Sequence, residues 1–202
     1  MTIRAVIVDL GGVIVRTEYQ APRQHLAERF GMDFEGMQNL VFNSESARRA
    51  STGQISEDDF WAGVMRKLHR PESEFRLIRD EFFAGDIIDL ELLDTLRGYR
   101  GRFKVGLISN AYSGLRDWIV DKKFADVFDA MIISAEVGVE KPDSRIYRIA
   151  LDKLGVAASE SVFLDDFPEN VAAAHALGMQ AIHFTQPEQA LEELKQLLAN
   201  HH

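Results

Sequence analysis

Cysteine is absent from the 202-residue sequence, which excludes disulfides and thiolate metal sites and fits a reducing compartment. Absent too is any apolar run near the ~18 residues that a membrane span requires. Positive charge is in deficit. The 23 Lys and Arg against 32 Asp and Glu leave a formal net charge of -9, which argues against nucleic acid or an anionic membrane as the main partner, since both are bound largely through surplus Lys and Arg. An anionic small molecule stays open, because a metal ion and one or two local cations reverse the field inside a cleft. The opening MTIRAVIVDLGGVIV is apolar but meets an acid at Asp9 and carries neither a charged lead-in nor a small-residue cleavage site. It reads as a buried strand, not a secretory signal, and the expected location is cytoplasmic.

The apolar and charged shares are those of an ordinary globular protein, and the length suits one core or one core with a small appendage. Three short apolar runs end at polar residues: Ile3 to Val8 before Asp9, Phe103 to Ile108 before Ser109, and Val162 to Leu164 before Asp165. These have the character of buried parallel strands. Ala130 to Ile133 and Ala181 to Phe184 are further strand candidates, with helical patterns between most of them. Ile146, Ile149, Ala150 and Leu154 follow helical spacing after Pro142-Asp143, and Gly155 supplies a stop. Pro168 suits a first helical turn, with Val171, Ala174 and Leu177 on one side and Gly178 at the end. Alternating strands and helices predict an α/β fold, a doubly wound parallel sheet with helices on both faces.

Residues 16–87 hold helix signals and no convincing strand, so they are expected to form a helical insertion in a core made of 1–15 and 88–200. Leu26, Ala27 and Phe30 lie on one helix ended by Gly31. Ser56 and Asp59 form the pattern of a capping box, with Ile55 and Phe60 as its hydrophobic staple, and Phe60, Val64 and Leu68 continue the stripe.

In an open parallel sheet, ligands bind beyond the carboxyl ends of the strands. Four polar positions fall there: Asp9 with Gly11-Gly12 behind it, Ser109-Asn110, Lys141, and Asp165-Asp166. Taken singly each has a plain structural reading. An acid after a strand is ordinarily a turn residue or a helix cap, Ser-Asn is ordinary turn chemistry, and a lysine before proline is a solvated loop charge. The four together, each in order after a strand, point to one site.

The segments VIVDLGGVIV, LISNA, EVGVEKPDSRIY and VFLDDFPEN resemble the motifs of the haloacid dehalogenase superfamily, over nearly the whole chain. The resemblance is to the branch with a small helical cap between the first two motifs, which includes bacterial sugar-phosphate phosphatases and the phosphatase domain of soluble epoxide hydrolases. It implies a Mg²⁺-dependent phosphatase acting on a small phosphorylated metabolite. Asp9 would be the nucleophile, forming an aspartyl-phosphate. Mg²⁺ would be held by Asp9, the carbonyl of Gly11 and Asp166, with Asp165 and Asn170 orienting those ligands from behind. Ser109, Asn110, Lys141 and the backbone at Gly11 and Gly12 would meet the phosphoryl group.

One position departs from the family pattern. Phosphatases of this superfamily usually carry a second Asp two residues after the nucleophile, which protonates the leaving group. Here that position is Gly11. Positioned acid/base catalysis contributes roughly 10²–10⁴-fold, so the resemblance implies slow turnover or substrates with good leaving groups. Glu18, His25 and Glu45 in the insertion are the titratable candidates for a replacement. His175 shares a helical face with Val171 and reads as a packed residue; Arg48 and Arg49 read as solvated and Trp61 as core. A metabolite-binding or regulatory protein with weak turnover is the alternative that Gly11 raises. A 2-haloacid dehalogenase is disfavoured, because the doubled acid Asp165-Asp166 asks for a cation.

Overall fold

The computed structural model describes residues 2–199, so His201 and His202 lie outside the described residues. Strand β1 (Ala5–Val8) is an uninterrupted AVIV run buried along its whole length, as expected of a strand with neighbours on both faces. The chain then turns through Gly11 and Gly12 into β2 (Val15–Thr17). It continues through α1 (Ala21–Arg29), α2 (Phe34–Gln38), a π-helical turn (Asn39–Asn43), α3 (Glu45–Ser51), α4 (Glu57–Lys67) and α5 (Phe75–Phe82), and returns by β3 (Asp86–Ile88). Then follow α6 (Leu90–Tyr99), β4 (Lys104–Ser109), α7 (Leu115–Asp121), β5 (Ala130–Ile133), α8 (Ser134–Val137) and α9 (Ser144–Leu154). The described chain closes with β6 (Ser161–Asp165), α10 (Pro168–Ala176), β7 (Gln180–His183) and α11 (Pro187–Ala199).

Five strands form one parallel sheet in the order β5-β4-β1-β6-β7. This is the doubly wound arrangement expected from the sequence, and each expected strand is found within one or two residues of its place. Strand order reverses between β1 and β6, which makes the crevice beyond their carboxyl ends the natural ligand site. Side chains alternate across the sheet. Val6 and Val8 pack with Leu92, Leu107, Leu164 and Leu194 on one face, while Ala5 and Ile7 pack with Ile108, Tyr147, Ala150 and Phe163 on the other.

Helices α1 to α5 gather around a separate buried cluster that includes Leu26, Met37, Phe60, Trp61, Met65 and Phe82. Each such side chain contributes about 1.5–3 kcal/mol on burial, so this segment carries its own apolar stabilisation. The side chain of Ser56 caps α4 by accepting from Asp59 N at 3.0 Å. The reciprocal half of the expected capping box differs: the Asp59 carboxylate takes the Ser56 hydroxyl at 2.7 Å instead of the Ser56 backbone.

Two expectations need correction. The insertion does contain strands, for β2 and β3 pair antiparallel at its neck, Val15 with Ile88 and Thr17 with Asp86. Three-residue strands that include Arg16, Thr17 and Asp86 carry too short and too polar a pattern to register as β-structure. Arg23 fastens that neck: its guanidinium reaches both Asp86 oxygens at 2.7 and 2.9 Å and the Phe82 carbonyl at 3.1 Å, with its carbon 4.6 Å from the Phe82 ring centroid. The second correction is His175, which is exposed on α10, its Nδ1 3.3 Å from the Met179 carbonyl. Ala174, one position earlier, takes the buried place. Arg48 and Arg49 are exposed and Trp61 is fully buried.

Candidate active site

Asp9 follows β1 directly and is 7% exposed. Its Oδ1 accepts from Leu10 N at 2.6 Å and from the Lys141 ammonium at 2.9 Å. Among the described residues no donor is bonded to Oδ2, so one carboxylate oxygen is anchored and the other is left for chemistry. Burial dominates its titration. The carboxyl is pushed up to about 7, with the Lys141 charge opposing and the Asp165 charge adding to the rise.

The last residue of β6, Asp165, is fully buried and fully used. Its Oδ2 accepts from Lys141 at 2.6 Å, and its Oδ1 accepts from Phe167 N at 2.8 Å and from the Asn170 amide at 3.0 Å. Asp166 is the opposite case. Its Oδ1 is buried and has no hydrogen-bond partner among the described residues. Helix α10 is capped without it, since the residue before Pro168 is Phe167 and no side chain caps the helix. Burial first, then the Asp165 charge, raises the Asp166 carboxyl to about 6. Oxygens of Asp9, Asp165 and Asp166 all lie within 4.8 Å of one another.

Three carboxylates thus face one ammonium, and a buried oxygen is left without a partner. Both are costly unless a cation completes the set. The donor set, all oxygen with no His or Cys, fits a hard divalent ion such as Mg²⁺. The approach is shaped by Gly12, whose φ of +74° suits glycine and where a Cβ would stand 2.1 Å from Asp166 Oδ2. Gly11, by contrast, is exposed, and a Cβ there would meet no atom within 4 Å.

Ser109 ends β4 with 4% exposure, at the same carboxyl edge of the sheet as Asp9 and Asp165. Asn110 is placed differently. Its amide nitrogen donates to the Lys141 carbonyl at 2.9 Å and its oxygen accepts from Lys141 N at 2.8 Å, a two-way clasp on the backbone that carries the lysine. The expected site residues Asp9, Lys141, Asp165, Asp166 and Asn170 therefore stand in one bonded or closely packed group, with Asn110 fastened to its rim.

Some members were invisible beforehand. Tyr147 on α9 is fully buried and donates to the Asn170 carbonyl at 3.0 Å, and the Phe163 ring centroid lies 5.5 Å from the Lys141 ammonium. In the sequence both are simply apolar residues in periodic runs. His183 on β7, opposite Asp165 in register, places Nε2 2.9 Å from the Asp166 carbonyl and so holds the acidic turn from the neighbouring strand. Glu18, His25 and Glu45 are exposed. The charges that act on Asp9 are Lys141 and Asp165, neither of them in the insertion.

A family model described as a haloacid dehalogenase-like hydrolase matches residues 3–178. The sesquiterpene phosphatase astK of Aspergillus oryzae is 28% identical over 202 residues, covering 98% of this chain and 97% of its own. The D-ribitol-5-phosphate phosphatase of Bacteroides thetaiotaomicron is 24% identical, covering 96% and 97%. Other curated relatives are longer, the chain spanning 39% of their length. Among solved structures, a haloacid dehalogenase family enzyme from Bacteroides thetaiotaomicron, crystallised with magnesium and inorganic phosphate, superposes with a TM-score of 0.75. It is 21% identical, with 89% of this chain and 93% of that chain covered. No described helix is long and apolar enough to cross a membrane.

Proposed function

Because the chain belongs to the haloacid dehalogenase-like hydrolase family, we propose that it is a Mg²⁺-dependent phosphatase of small phosphorylated metabolites, with Asp9 as its nucleophile. The observation that carries this reading is the convergence of Asp9, Asp165 and Asp166 within 4.8 Å, with the Lys141 ammonium 2.9 Å from Asp9. In it, residues 16–87 act as a cap over a catalytic core.

Asp9, Asp166 and the Gly11 carbonyl would hold the metal, which supplies positive charge against the phosphoryl oxygens. A carboxylate approaches an anionic phosphate only where cations and donors cancel the repulsion. Lys141 contributes one such charge, and the Ser109 hydroxyl, at the carboxyl end of β4, would donate to a phosphoryl oxygen. Asp9 Oδ2 attacks phosphorus, a bond to Asp9 forms and the bond to the leaving oxygen breaks, giving an aspartyl-phosphate. The leaving oxygen takes its proton from solvent in this scheme, since Gly11 has no acid to offer. Water then releases inorganic phosphate and restores Asp9. Asp165 keeps Lys141 and the α10 turn in place, and Asn110 acts on the lysine backbone, a positional role in place of direct phosphate contact.

The relatives suggest a polyol or sugar phosphate and a sesquiterpenoid phosphate for the panel, and Gly11 adds an acyl phosphate, whose good leaving group has less need of an acid. Phosphate release is expected from at least one, dependent on Mg²⁺ and lost in Asp9→Asn. Equal release by wild type and Asp9→Asn on every compound would reject the proposal. Gly11 supports a second reading, a metabolite-binding protein with weak turnover. Calorimetric binding of a panel compound without its consumption would favour it.

A further inference from the structure

The inserted helices grip the two loops that hold Lys141. On one side the Ser51 hydroxyl, at the end of α3, donates to the Glu140 carboxylate at 2.6 Å. Glu140 directly precedes Lys141. On the other side, the loop after β4 is held twice. Tyr112 donates its hydroxyl to the Val41 carbonyl and packs its ring 4.6 Å from that of Phe60, inside the insertion's apolar cluster. Two residues later, Gly114 N donates to Glu57 at 2.9 Å, from the first turn of α4. That loop begins with Asn110, whose amide clasps the Lys141 backbone. The insertion also comes close at Gly53, where a Cβ would stand 2.2 Å from the Ala135 carbonyl, just after β5.

A closed circuit results. Both ends of the Asn110–Lys141 clasp are tied to the insertion, and the lysine ammonium is tied to Asp9 and Asp165. We propose that Ser51 and Glu140 are positioning residues for Lys141, so that the seating of the helical insertion sets where the lysine ammonium stands against Asp9. The structural part stands alone; its catalytic consequence rests on the phosphatase reading.

The physical basis is the strength and place of the contact. A hydroxyl donating to a carboxylate at this distance is a charge-assisted bond, roughly twice as strong as a neutral one, and here both partners are half-buried. The Lys141 side chain is 1% exposed and packed between Asp9 and Asp165, so its stem has little room to absorb a shift of the backbone and passes that shift to the ammonium. Glu140 touches no reacting atom in this scheme. It acts through the peptide that carries Lys141.

The test joins two readouts on Ser51→Ala, Glu140→Ala, their double variant and Ser51→Thr. Amide hydrogen exchange at Lys141 N, which donates to Asn110, reports the clasp without any need for turnover. It is expected to quicken about tenfold in Ser51→Ala and Glu140→Ala, to quicken no further in the double variant, and to stay at the wild-type rate in Ser51→Thr. Phosphate release should follow with kcat down about tenfold and KM within about twofold. Unchanged exchange at Lys141 in folded Ser51→Ala overturns the proposal, as does additive quickening in the double variant or a rise in KM at constant kcat. Quickened exchange in a protein whose wild type matches Asp9→Asn on every substrate leaves the coupling intact and removes the phosphatase reading instead.

Discussion

Gly12 packs against Asp166 so closely that a Cβ at position 12 would stand 2.1 Å from the Asp166 Oδ2. The backbone there also has a φ of +74°, a conformation that costs an L side chain about 1–2 kcal/mol. Gly12→Ala must therefore strain the turn, move the Asp166 carboxylate, or both. Activity is expected to fall about 100-fold with a weaker half-saturation by Mg²⁺, measured as phosphate release across a Mg²⁺ series. Wild-type Mg²⁺ dependence in this variant would show that Asp166 does not hold the ion.

Lys141 is 3% exposed and stands between two buried acids. Its replacement by Met leaves Asp9 and Asp165 without a counter-charge, a loss of about 3–5 kcal/mol for a buried pair broken on one side. Urea unfolding at pH 8 should show that loss, and unfolding at pH 5 a smaller one, because the Asp9 carboxyl, pushed up to about 7 by burial, then takes a proton. A loss independent of pH would indicate packing alone.

The acids also set a pH dependence. Burial raises Asp9 from 3.8 to about 7 and Asp166 from 3.8 to about 6. Folded-state values above the unfolded ones mean that the native protein binds more protons than the unfolded chain between about pH 4 and 7. The contribution of these groups to stability in the metal-free protein is full below that window and declines as pH rises through it. Mg²⁺ replaces the lost protons, so its stabilising effect should grow over the same range. Thermal midpoints from pH 5 to 8, with chelator and with saturating Mg²⁺, are expected to diverge as pH rises; parallel curves would contradict the account.

At the neck of the insertion, Arg23 and Asp86 have side chains only 6% and 15% exposed. Arg23→Leu should destabilise the protein by about 3 kcal/mol or more by leaving the largely buried Asp86 carboxylate with the Thr17 hydroxyl but no counter-charge. Arg23→Lys should recover little, since one ammonium cannot reproduce the two-pronged contact. Differential scanning calorimetry of both variants checks this, and near-wild-type stability in Arg23→Leu would place the neck's strength in β2 and β3 instead.

Much of this was readable from the chain, and for physical reasons. Central parallel strands must be apolar on both faces, so the runs before Asp9, Ser109 and Asp165 stood out, and the polar residues after them marked the sheet's carboxyl edge. Gly155 and Pro168 likewise announced a helix end and a helix start. Pairings across distant segments were not readable. Nothing local in Ser51 or Glu140 indicates that they meet, and Asn110 gives no sign that its amide turns to a backbone 31 positions away. Strands β2 and β3 exist through each other, three residues apiece, and no periodicity can show in so few. On α10, which is alanine-rich, one residue's shift separates buried Ala174 from exposed His175, and the pattern was too uniform to decide between them.

The most direct test of the whole account is an anomalous difference map from crystals grown with Mn²⁺ in place of Mg²⁺. The account predicts a peak at coordination distance from a carboxylate oxygen of Asp9, from Asp166 and from the Gly11 carbonyl, with the Lys141 ammonium beside Asp9. A map at saturating Mn²⁺ with no peak among these acids, or with Asp9 and Asp166 turned to different neighbours, would contradict it.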